Sequence, residues 1–245
     1  MSSNTLLRRI VAMAICMVFL ASCAGVPKRA MDGETRRLLV SVAIVEPSNP
    51  EQYMVLGASD VPGGFMLYAF GAIGGAVLGG MMASKMEEQA RLLTSSLQPY
   101  QPQVGRALGD SLKAEFEARG IKVTMIPAPP RDKEKKYDYT GVSVQEQVII
   151  EPIVTLAGYR LNSGVLKPML GARVRVLDAE SKQERFLDIF LYGDKMGDRF
   201  VTIEPDASVT YPDLTKLYGN GEAASNALRI GAGAIAKSAA VAIKG

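Results

Sequence analysis

Hydrophobic and polar positions change period several times along this chain, and each change marks an element. Leu38-Leu39-Val40-Ser41-Val42-Ala43-Ile44-Val45 is apolar at nearly every position, as in a strand covered on both faces, and Glu46-Pro47 ends it. Val104, Leu108, Leu112 and Phe116 recur every four residues among Gln103, Arg106, Asp110, Lys113, Glu117 and Arg119, which predicts an amphipathic helix. Gly120 stands where a C′ residue takes a left-handed conformation, and Ile121 to Ile126 follows as a strand. Pro127 to Asp138, with Pro129-Pro130 and the charged run Arg131 to Lys136, reads as an exposed loop.

Beyond it, Val148 to Arg160 reads as a strand bent around Pro152 and Gly158. Ala172, Val174 and Val176 alternate with Arg173 and Arg175, while Leu187, Ile189 and Leu191 alternate with Asp188, Phe190 and Tyr192. The polar stretch Asp178 to Lys182 lies between, so the pair is expected to form a β-hairpin with one core face. Met196 to Tyr211 is less periodic, an irregular crossing, and Glu222 to Ile243 is an alanine-rich closing helix weakened near its middle by Gly231 and Gly233. This order predicts a single α+β domain over residues 38–245, a mostly antiparallel sheet with helices packed against it.

One apolar run fits neither period. Val61 to Ser84 is 24 residues without a charge, long enough to span a bilayer as a helix. Within it Gly71, Gly75 and Gly79 lie four apart and Ala83 continues the series, placing a smooth stripe on one helix face where another backbone can approach closely. Three roles fit: a helix buried within the domain, a self-association or partner-binding helix, or a membrane-inserted one.

The start of the chain carries a second uncharged run, Ile10 to Leu20, after Arg8-Arg9; at eleven residues it has signal-peptide rather than membrane-spanning length. Leu20-Ala21-Ser22-Cys23 closes it, and residues 1–24 resemble the signal sequences of bacterial lipoproteins. That resemblance implies removal of residues 1–22, a diacylglycerol thioether on Cys23, and residues 23–37 as lipidated N-terminus and tether. Ala24, where aspartate would retain the protein in the inner membrane, implies the outer membrane of a Gram-negative cell, with the domain facing the periplasm. Residues 71–83 resemble the glycine-zipper segments of some outer-membrane lipoproteins, which implies contact with membrane or with further copies. The element order over 38–243 is similar to the small α/β domains of envelope-assembly lipoproteins, including the curli-secretion and TolB N-terminal types.

Composition narrows the chemistry. The chain has 28 basic and 25 acidic side chains, and removing Arg8 and Arg9 leaves 26 against 25, a balance that offers nucleic acid nothing. There is no histidine, and the two cysteines are Cys16 in the leader and Cys23. A disulfide, Cys/His catalysis and a conventional zinc site are therefore excluded from the mature chain. No catalytic residue, metal site or cofactor is expected apart from the covalent lipid on Cys23. The expected function is a noncatalytic outer-membrane lipoprotein, a structural or accessory part of a cell-envelope assembly, with membrane lipid, further copies of itself or other envelope proteins as partners. The alternatives are a lipoprotein that binds a small molecule, lipid or glycan through Tyr137, Tyr139 and Tyr159, and a membrane-inserted component of a secretion or pore complex.

Overall fold

The computed structural model describes residues 29–57, 80–131, 137–195 and 200–245. Among the described residues, seven strands form one sheet: β1 (Ser41–Val45), β2 (Met54–Leu56), β3 (Lys122–Ile126), β4 (Val148–Asn162), β5 (Val165–Asp178), β6 (Glu184–Tyr192) and β7 (Val201–Ile203). The helices are α1 (Gly33–Leu38), α2 (Gly80–Leu97), α3 (Val104–Glu117), α4 (Leu214–Gly219) and α5 (Gly221–Lys244). The path across the sheet is β3-β1-β4-β5-β6-β7, and β2 also pairs with β4.

The α+β class expected from the sequence holds, and the sheet is mixed. β4/β5 and β5/β6 are long antiparallel ladders, whereas β1/β3, β1/β4, β2/β4 and β6/β7 are short parallel ones. Antiparallel neighbours can be joined by tight turns, as at the end of β4 and at Ala179–Gln183, but parallel neighbours need a crossover. Between β1 and β3 the chain passes through α2 and α3, and β3 returns parallel to β1.

The helical period seen in the sequence is the packing face of α3. Val104, Leu108, Leu112 and Phe116 are fully buried against Val42, Ile44, Val148 and Ile150 of the sheet and Leu228, Ile235 and Ala239 of α5. Each such burial contributes on the order of 1.5–3 kcal/mol. The helix ends as its glycine foretells: Gly120 has φ +74°, its N–H donates to Glu117 O at 2.9 Å, and Ile121 N–H reaches Phe116 O at 3.1 Å. Ile121 packs into the same core as Phe116, completing a Schellman motif.

α5 runs through Gly231 without a break because a neighbour occupies the space of the missing side chain: a Cβ there would lie 2.6 Å from the Tyr192 ring. At its far end Lys244 Nζ donates to Leu39 O at 3.0 Å and Arg36 O at 3.2 Å, and Arg36 donates to Ala242 O at 3.1 Å. These cations satisfy carbonyls at two helix ends and clip α1 to α5.

Three sequence expectations change here. The segment expected as tether, 23–37, joins the domain from Arg29 onward: Arg29 exchanges both backbone hydrogen bonds with Leu187 (2.9 and 3.0 Å), and Met31 enters the core. The edge of β6 is thereby covered twice, by β7 at residues 190–192 and by Arg29 at 187, which leaves less of it open to another strand. The irregular crossing at 196–211 contains β7 and a two-way backbone bridge between Tyr211 and Leu166. The hairpin β5–β6 forms as expected, but not with one core face. Phe186, Phe190 and Tyr192 face the helices with Val174 and Val176, while Leu187, Ile189 and Leu191 are buried on the opposite side.

Of the apolar run 61–84, residues 61–79 lie outside the described residues, so the stripe Gly71, Gly75 and Gly79 does too; Ala83 falls in α2. Downstream, Leu93 and Leu97 are buried in the main core, whereas Leu92 is exposed. Among the described residues no helix is long and apolar enough to cross a membrane.

Candidate functional site

The sheet face away from α3 and α5 carries the most concentrated polar chemistry among the described residues. Its floor is built by register. Glu151 on β4 lies opposite Arg175 on β5, which lies opposite Leu187 on β6, which lies opposite Arg29. One row on, Ile153, Arg173 and Ile189 are aligned. Because side chains alternate, Ile149, Glu151 and Ile153 share this face, and residues 137–147 cover part of it through Tyr137, Tyr139, Val142 and Val144.

Glu151 is 1% exposed. Its Oε2 accepts from Tyr139 OH at 2.7 Å and from Arg175 NH2 at 2.7 Å, and Arg173 NH2 stands 3.7 Å from Oε1. A carboxylate this deep persists only when cations and donors surround it. Burial disfavours the charge on both arginines, with different outcomes. The short hydrogen bond to Glu151 overrides burial at Arg175 and raises its pKa, while Arg173, more distant from the carboxylate, has its pKa lowered. Burial, and then the neighbouring Glu151 charge, pushes the Tyr139 phenol far above its ordinary value, so it stays a hydrogen-bond donor.

Beside this cluster, Arg131 stacks over Tyr137 at 4.9 Å from the ring centre, and Tyr137 meets Tyr139 edge-on at 6.5 Å. A shallow cleft of about 560 Å³ opens at the β5–β6 turn, lined by Val142, Val144, Glu146, Gln147, Asp178 and Lys182, among others. Two of its carboxylates already have partners. Hydrogen bonds from Ser181 hold Asp178 below the usual carboxylate range, and Thr124 does the same for Glu146.

The structure separates the three tyrosines considered for ligand binding. Tyr137 and Tyr139 cover the second face. Tyr159 is fully buried under the helices, donates to Ala224 O at 3.0 Å and packs edge-on against Tyr211 at 5.6 Å. They do not line one pocket; each hydroxyl or ring is engaged in holding elements together. Cys23, the lipid-bearing residue expected from the leader, lies outside the described residues. The Glu151–Arg175 pairing was missed in the sequence. Its signal was a lone glutamate directly after Val148-Ile149-Ile150, together with arginines alternating through a strand, a pattern that reads equally well as a solvated face.

No family model and no curated protein matches this chain. Solved structures do give distant similarities. A Xanthomonas campestris protein assigned to the DUF330 family aligns over 83% of this chain and 87% of its own, with 11% identity and a TM-score of 0.39. Lipoprotein GNA1162 from Neisseria meningitidis covers 62% of this chain and 81% of its own, with 12% identity and a TM-score of 0.26. Dodecameric PelC from Paraburkholderia phytofirmans covers 67% and 71%, with 10% identity and a TM-score of 0.22. Similarity at this level carries nothing about activity or partners.

Proposed function

We propose that this chain is an outer-membrane lipoprotein, anchored through Cys23, that serves as a noncatalytic structural or accessory component of a cell-envelope assembly and associates with itself or with other envelope proteins. The observation that carries the reading is the leader, in which a positive pair, an eleven-residue uncharged run and Leu20-Ala21-Ser22-Cys23 follow in order. The described residues agree with it in one respect. Tyr139, Tyr159 and Glu151 are committed to contacts within the fold, which favours a scaffold over the ligand-binding alternative.

Lipidation accounts for attachment without a membrane span, since each buried methylene contributes about 0.8 kcal/mol and two or three acyl chains hold a protein firmly. Cys23→Ser is expected to abolish incorporation of labelled palmitate and to leave an uncleaved precursor. Replacing residues 1–23 by an ordinary cleaved signal is expected to release the domain into the periplasmic fraction. Labelling of the Cys23→Ser protein, or carbonate-resistant membrane association of the signal-swapped one, would overturn the assignment of Cys23 as the anchor.

Self-association is assigned to the stripe Gly71, Gly75, Gly79 and Ala83. Leucine at Gly75 adds bulk where two backbones would approach, so Gly75→Leu is expected to dissociate the oligomer in native detergent extracts or to block its assembly. An unchanged oligomer size with normal export would sink the packed stripe.

A further inference from the structure

We propose that residues 61–79 fold back over the sheet face opposite the helices and seat Met66, Phe70, Ile73 and Val77 on its apolar half, formed by Leu56, Leu156, Met169, Ile189, Leu191 and Phe200. The contact lies within one chain and rests neither on Cys23 nor on association of copies. Leu156 on β4, Gly171 on β5 and Leu191 on β6 stand in one register row, and Met169 stands opposite Gly158 in the next row on that face, so the two glycines leave a flat apolar floor. The six large side chains are each at most 8% exposed. Tyr137, Tyr139, Val142 and Val144 close the other half of the face. Over this half, the apolar side chains packed around the cluster among the described residues are Met54 and Met86. The four residues 196–199 that precede Phe200 include Asp198 and Arg199 and supply no apolar cover. An uncharged run does, and removing this floor from water is what would hold it there.

The places where the segment begins and ends select it as the occupant. Leu56, the last residue of β2, belongs to the floor. α2 lies beside β2, with Tyr53 N–H donating to Thr94 Oγ1 at 2.9 Å, and Met86, nearer the start of α2, packs on the floor. α2 therefore runs antiparallel to β2, and its first residue, Gly80, is about 9 Å of helix from Met86. α2 continued in a straight line to Val61 would put that residue about 37 Å beyond Met86. Gly57 reaches Val61 through at most about 14 Å of chain. The segment must reverse direction, leaving and returning at one rim of the sheet. A single passage through a bilayer, which parts its two ends, does not fit. A helix over 61–79 would be about 28 Å long, enough to lie across β2, β4, β5, β6 and β7, which span about 19 Å. At helical spacing Met66, Phe70, Ile73 and Val77 fall on the side away from Gly71, Gly75 and Gly79. Seating the large side chains thus turns the glycine stripe outward, where the self-association proposed above needs it.

The test uses the full-length protein in its membrane, with the photocrosslinking residue p-benzoylphenylalanine in place of Phe70 or, in a second variant, of Tyr68. These positions lie about 160° apart around a helix, Tyr68 on the glycine side. After irradiation, denaturing gels separate crosslinks within a chain from those between chains, and mass spectrometry identifies the joined peptides. Seating predicts that the probe at 70 joins peptides holding Leu156, Met169 or Ile189 in a product of single-chain mass, and that the probe at 68 does not reach them. A product of doubled mass from the probe at 70, its attachment to phospholipid, or the absence of any floor peptide would each overturn the proposal. A second measurement needs no crosslink. Phe70→Asp is expected to raise amide exchange at residues 189–191 by about tenfold to a hundredfold relative to that at residues 108–112 of α3, as loss of one buried phenylalanine under the floor's cover implies. Unchanged relative exchange at 189–191 would overturn the seating as well.

Discussion

Alanine at Gly158 is expected to unseat β2 from the sheet and to cost about 3 kcal/mol, the upper end of what overpacking does in a well-packed interior. The reason is local and geometric. β2 runs parallel to β4 with Met54 opposite Gly158, and a Cβ at 158 would lie 1.9 Å from Met54 O and 2.7 Å from Met54 N. Both are backbone atoms, so no rotamer change relieves the contact, and one strand must move away from the other. β2 is three residues long and has β4 as its strand partner, with α2 packed beside it. Its displacement would expose Val55 and Leu56, which are now buried. The measurement is urea unfolding of wild type and Gly158→Ala, with amide exchange at residues 54–56. A loss under about 1 kcal/mol with those amides still protected would show that the two backbones can separate at little cost.

Glu151→Ala is expected to cost a comparable amount, about 3 kcal/mol. It removes the acceptor shared by Tyr139 and Arg175 and the counter-charge of Arg173, leaving donors and charge without compensation. Full burial of both arginines would make the loss larger. Their side chains retain 28% and 21% exposure, so water takes over part of the solvation. A second variant separates this mechanism from loss of packing. Replacing the pair together, Glu151→Leu with Arg175→Met, removes charge and counter-charge at once and should recover most of the stability lost in Glu151→Ala. If the double variant is as unstable as the single one, the carboxylate's partners are not what makes position 151 sensitive. Each result is read as a shift in the denaturation midpoint at unchanged slope.

These two positions also show how far local pattern reaches. The period-four stripe of α3 and the glycine after it predicted a helix, its buried face and its stop, because amphipathicity and C-capping act within a turn or two of chain. The strands around 41–45, 122–126 and 148–162 were legible for the same reason. In the β5–β6 hairpin the alternation located the strands but misjudged their surroundings: arginines on every second position resemble a wet face, and here they roof a buried glutamate. Nothing within a few residues of Glu151 names its partners, since Tyr139 precedes it by 12 residues and Arg175 follows it by 24.

The amino-acid order alone was enough for the amphipathic helix, its stop and the α+β class, all properties of neighbours along the chain. Tertiary structure decided the mixed sheet, the docking of residues 29–38 onto the domain, the close approach that makes Gly158 irreplaceable and the buried Glu151 cluster. Each of those depends on which segments meet across long stretches of sequence, and that choice is made by summed burial and register, quantities that no local period encodes.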